Sequence, residues 1–100
     1  MSRAGEEVIV AVRGEIDIAS APRLWEQLSD LIPDTKRLVL DLAGTEFIDS
    51  TALNVIVRAL KRMRHADGDL IIRAPRANAR KVFKITALDR VLTIEGSDEN

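Results

Sequence analysis

The segments "RLVLDLAG" at 37–44 and "DLIIRAP" at 69–75 constrain the fold more than any other feature. Each is a short, continuous apolar run bounded by charge, the pattern of a strand covered on both faces in a parallel sheet. Between them the chain has helical periodicity, with Leu53, Ile56, Val57 and Leu60 expected inward from residue 53. Strand, helix and strand in that order make a right-handed parallel crossover.

The flanking segments extend this pattern. "EVIVAVRGEID" reads as a strand with Val8, Val10 and Val12 on one face and a break or bulge at Gly14. "IASAPRLWEQLSDLIP" reads as a helix with Ser20 as N-cap, Pro22 in the first turn and Pro33 closing it. Its stripe is Leu24, Trp25, Leu28, Leu31 and Ile32, so Trp25 is expected in the core. "NARKVFKITAL" predicts a third helix with Val82, Phe83 and either Ile85 or Leu88 inward, and "RVLTIEG" a last strand. With 100 residues there is material for one domain, here 1–100 with a core from about 7 to 95. The expected fold class is α/β, a mixed and mostly parallel sheet of four or five strands with helices packed against it.

Several kinds of chemistry have no residues to carry them. Zero cysteines exclude disulfides and thiolate metal sites, and His65 alone provides no histidine pair for zinc. Neither a GxxxxGK[ST] loop, a GxGxxG turn nor a GxSxG elbow occurs. Asp17, Asp41 and Asp49 are expected after strands, where α/β proteins bind ligands, but aspartates there are also ordinary turn formers. No enzymatic activity, metal or cofactor is expected. The opening "MSRAGEE" passes directly into an alternating segment and no long apolar run follows, so a cytoplasmic location without membrane insertion is expected.

The formal net charge of −1 conceals three blocks. Residues 1–57 carry −5, residues 58–84 carry +7 and residues 85–100 carry −3. The cationic block suits a solvated helix face or an acidic partner, and direct nucleic-acid binding is not expected.

The segment "TEFIDSTALNVIVRALKRM" at 45–63 places Asp49, Ser50 and Thr51 at a helix start. One side-chain oxygen suffices to cap a helix, for about 1 kcal/mol. Three polar residues in a row exceed that need. A phosphate added there would be accommodated by free N–H groups and the helix dipole, while bringing about 1.5 to 2 negative charges to the surface. Ala52, Val55 and Ala59 form a small apolar strip away from the Leu53, Val57, Leu60 stripe, flanked by Asn54, Arg58 and Arg62. The strip is either shallow packing or a docking surface.

"VRGEIDIASAPRL", "RLVLDLAGTEFIDSTALNVIVRAL" and "GDLIIRAP…VFKITALDRVLTI" together resemble the STAS domain family of bacterial anti-sigma-factor antagonists. The most specific matches are Gly-Glu-Ile-Asp at 14–17 and Phe-Ile-Asp-Ser-Thr-Ala-Leu at 47–53. The resemblance implies that Ser50 is phosphorylated by an anti-sigma factor that is itself a serine kinase with a Bergerat-type ATP fold. It also implies that the unphosphorylated antagonist binds that kinase and frees a sigma factor, and that a metal-dependent serine phosphatase resets the switch. The resemblance makes Thr51, where the family also has serine or threonine, a lesser candidate for phosphorylation. The implied partner surface comprises Asp17, Asp49, Ser50, Thr51, Ala52, Asn54, Val55, Arg58, Ala59 and Arg62. A second role found in the family is a small subunit that binds the ATPase of a lipid-transport ABC system. Ala52 and Asn54 stand where the family often has glycine, and the family's common edge strand before residue 7 is expected to be absent or reduced to a few residues.

Overall fold

The computed structural model of the chain describes residues 2–4 and 7–96, the first three as backbone only. The elements, in order, are β1 (Ser2–Ala4), β2 (Glu7–Ile16), α1 (Ala21–Leu31), β3 (Arg37–Ile48), α2 (Ser50–His65), β4 (Asp69–Arg73), α3 (Ala77–Ile85) and β5 (Thr93–Glu95). Two 3₁₀ turns, Ile32–Asp34 and Leu88–Arg90, lead into β3 and β5. The sheet order is β1-β2-β3-β4-β5, antiparallel only at β1 and parallel elsewhere. Three successive crossovers of one hand between adjacent strands put all the helices on the same face.

That face holds the core. Val8 and Val10 of β2, Leu38, Leu40 and Leu42 of β3, and Leu70 and Ile72 of β4 join Leu24 and Leu28 of α1, Ile56, Leu60 and Met63 of α2, and Phe83 of α3. The β2–β3 pairing slips twice, between Ala11 and Arg13 and between Gly14 and Glu15, so β3 accommodates two extra residues. Gly14, on β2 beside the second slip, lies in the left-handed region at φ 78°, which glycine adopts without strain. Thr45, buried in this irregular stretch, donates its hydroxyl proton to Val12 O at 2.6 Å.

Among the described residues the opposite face carries no helix, yet Val39 and Ile71 on it are 0% and 1% exposed. Arg37 covers them. From β3 it donates to Glu7 on β2 at 2.6 Å and to Glu95 on β5 at 2.7 Å, and Arg73 also reaches Glu95. A side chain that joins β3 to β5 must cross above β4, a path over the row that pairs Val39 with Ile71. Both faces of β3 are covered as the sequence predicts, but by helices on one side and ion pairs on the other.

Three expectations change. The inward stripe of α2 is Ala52, Val55, Ile56, Ala59, Leu60 and Met63, rotated by nearly one residue from the expected one. Leu53 and Val57 are only half-buried. The strip of Ala52, Val55 and Ala59 is therefore core, not surface, because its small side chains let α2 approach α1 and the sheet closely. Trp25, expected in the core, is half-buried at its edge, whereas α1 ends at Leu31 just ahead of Pro33, which sits in a 3₁₀ turn, and of the alternatives Ile85 and Leu88 it is Leu88 that turns inward while Ile85 is exposed.

Candidate functional site

The C-terminal ends of β2 and β3 lie side by side, Ile16 paired with Ile48, and the two loops that leave them form one surface. Asp49 N–H donates to Ile16 O at 3.2 Å, which ties the loops together. In the first loop Asp17 Oδ1 accepts from Ala19 N at 3.0 Å and Ser20 N at 3.1 Å. The Ser20 backbone N–H, ahead of the other donors, holds the Asp17 carboxyl below the usual carboxylate range against a smaller opposing effect of desolvation. Ser20 occupies the N-cap position of α1 but does not cap it with its side chain. Its hydroxyl accepts from Asp17 N at 3.0 Å and faces Glu15 O and Asp17 Oδ1 as acceptors.

In the second loop the N-cap is Asp49, whose extended backbone ends β3 and whose Oδ1 accepts from Ala52 N at 3.0 Å. Asp49 thus performs the capping, and Ser50 at the first helical position is exposed. Among the described residues the Ser50 hydroxyl has no hydrogen-bond partner. It stands beside the first-turn N–H groups that no helical carbonyl can reach. Thr51 is half-buried against α1.

Beyond Ser50, a groove of about 400 Å³ runs between α1 and α2, lined by Pro22, Trp25, Glu26, Thr51, Asn54 and Arg58 among others. The Arg58 guanidinium lies 4.2 Å from the centroid of the Trp25 ring and Arg62 5.5 Å from it. Such cation–π contacts contribute about 0.5–1 kcal/mol at exposed sites. They hold both arginines toward α1.

The structure brings together Asp17, Asp49, Ser50 and Thr51 at one end, with Asn54, Arg58 and Arg62 continuing on the exposed side of α2. Ala52, Val55 and Ala59 are inside. Asp41 lies within β3 and accepts from Ala43 N at 2.9 Å, apart from the two loops. No group of three potential metal-ligating side chains occurs among the described residues.

Sequence reasoning missed three residues here. Ile18 is 77% exposed and Phe47 44% exposed, one in each loop-bearing segment that flanks Ser50. Both were legible as apolar residues outside any stripe. Asn78 on α3 accepts from Ile48 N at 3.3 Å and steadies the chain just before Asp49. Nothing in the local pattern signals that contact, which spans 30 residues.

A family model described as STAS domain matches residues 1–99. The chain belongs to the STAS domain family. The anti-sigma-B factor antagonist of Bacillus subtilis (strain 168) is 31% identical over 93 residues, which cover 93% of this chain and 85% of that protein. The solved structure of TM1081 from Thermotoga maritima superposes with a TM-score of 0.89 at 26% identity, covering 97% of this chain and 85% of that one. SpoIIAA, an anti-sigma factor antagonist, shares the fold at 18% identity. Its TM-score is 0.84 unphosphorylated and 0.78 phosphorylated, each over 98% of this chain and over 86% and 89% of SpoIIAA. Antagonism of anti-sigma factors is thus the general function of the curated relatives of this STAS domain.

Proposed function

We propose that this STAS domain is an anti-sigma factor antagonist, present in the cytoplasm, that binds an anti-sigma factor serine kinase of the Bergerat type while Ser50 is unphosphorylated. The observation that carries this reading is the division of labour at the start of α2: Asp49 caps the helix, and the Ser50 hydroxyl is left exposed and unpaired among the described residues. A phosphoryl group on Ser50 Oγ meets free first-turn N–H groups and a favourable dipole end, so the fold tolerates it. A partner pressed onto Ile18, Phe47 and the α1–α2 groove meets about 1.5 to 2 added negative charges beside Asp17 and Asp49, and affinity falls. Hydrolysis of the phosphoserine by a metal-dependent phosphatase restores binding. Thr51, half-buried at the groove, is the lesser acceptor. Asn54, Arg58 and Arg62 supply the polar rim of the surface.

The test is purification of the tagged chain from its host, identification of the ATPase that accompanies it, and phosphosite mapping after incubation of the pair with ATP. A Bergerat-fold kinase that modifies Ser50, with at least tenfold weaker binding to Ser50→Asp and unchanged thermal unfolding, supports the switch. Equal affinity of wild type and Ser50→Asp for that kinase overturns it. Recovery of the ATPase of a lipid-transport ABC system instead assigns the chain to a transporter.

A further inference from the structure

The sheet has one edge that is open and bordered by positive charge. β5 pairs with β4 alone: Thr93 and Glu95 turn their backbone groups to β4, as the Glu95 carbonyl accepting from Ala74 N–H at 2.7 Å shows, and Ile94 presents its N–H and C=O outward with no strand beyond them among the described residues. Ile94 is in register with Ile72 and points to the helix-bearing face, yet it is only half-buried where Ile72 is fully buried, because the sheet ends there. Between Ile94 and α3 lies a groove of about 440 Å³ whose other walls are Ala77, Arg80, Lys81, Lys84 and Asp89. From Arg76 to Ile85 the chain carries four basic side chains and no acidic one. Lys81 and Lys84 are exposed and make no ion pair among the described residues. Lysine on an edge strand itself discourages pairing. Here the lysines stand on the neighbouring helix, where they leave the backbone of β5 accessible and favour one kind of visitor.

We propose that the β5 edge and the α3 groove are a docking site for an extended acidic segment of a partner protein, which adds as a sixth strand. Its backbone bonds to the outward N–H and C=O of Ile94, its carboxylates lie beside Lys81 and Lys84, and an apolar side chain covers the Ile94 side chain. A second copy of this chain fits poorly. Antiparallel two-fold pairing of β5 with β5 sets two α3 helices, each with Arg76, Arg80, Lys81 and Lys84, side by side on the same face. A three-residue strand offers few backbone bonds, so the charges dominate and binding weakens with salt.

The experiment is amide NMR on the full chain titrated with ten-residue peptides in which Asp or Glu alternates with Val or Ile, alongside Lys or Arg counterparts. Acidic peptides are expected to shift the amides of Thr93, Ile94 and Glu95 together with those of Lys81 and Lys84. The double variant Lys81→Glu, Lys84→Glu, both exposed positions, loses at least tenfold in affinity, and Ser50→Asp binds as wild type does. No binding by any acidic peptide at about 1 mM overturns the proposal. So does binding that leaves the β5 amides unmoved, or equal binding of the basic peptides.

Discussion

The two uncovered regions of the sheet treat apolar side chains in opposite ways. On the helix-free face Val39 and Ile71 are sealed beneath Arg37, Glu7, Glu95 and Arg73. At the end that bears Ser50, Ile18 and Phe47 stay exposed although Glu15, Asp17 and Glu46 are nearby in the chain. Long charged side chains can shield apolar surface with their methylenes while keeping their charges wet. They do so on one face and not at the other end, where the proposed function has a partner cover the exposed pair.

The largest effect should come from the sealed face. Ile71→Ala is expected to cost about 2–5 kcal/mol in urea unfolding, as a true core position does. A cost under about 0.5 kcal/mol would mean that the ion pairs leave Ile71 effectively at the surface. At the other end Asp49→Ala should cost about 1 kcal/mol through loss of the cap at Ala52 N, measurable as a lower unfolding midpoint. If Ser50→Ala proves the more damaging of the two, the hydroxyl and not the carboxylate caps the helix.

Smaller still is the expected pH response of the seal. The Arg37 side chain, ahead of the Arg73 contact, holds Glu95 below its ordinary pKa of 4.5 despite some opposing desolvation. A carboxyl depressed in the folded state contributes stability that is complete above its unfolded pKa and lost as pH falls through its folded one. Stability should therefore decline on acidification below about pH 4.5 less steeply in Glu95→Gln than in wild type. Identical acid profiles would remove Glu95 from the account. Ile18→Ser should change stability by no more than about 0.5 kcal/mol while weakening partner binding, and unaltered binding would break the contrast between the two regions.

The fold was legible where period and length agreed. The runs at 37–44 and 69–75 became β3 and β4, and the helix between them became α2. The rotation of α2 was not legible. Leu53 and Val57 outweigh Ala52 and Ala59 in hydropathy, but close packing of a helix between a neighbour and a sheet selects small side chains for the seam. For the same reason three residues expected on the docking face are buried. A capped helix start at Asp49 and Ser50 was legible, since capping chemistry is local, but that Asp49 and not Ser50 supplies the cap was not. Trp25 as a platform for Arg58 and the tie from Asn78 to Ile48 depend on contacts between distant segments.

By itself the sequence determined the α/β class, the parallel crossovers and the helix start at Asp49 and Ser50, because periodicity, turn chemistry and caps act over a few residues. Tertiary structure alone decided which side of α2 faces outward, that ion pairs rather than helices cover the second face, and that β5 ends the sheet beside a basic groove. Those outcomes depend on which segments meet, and the free energy of packing them is shared among residues far apart in the chain.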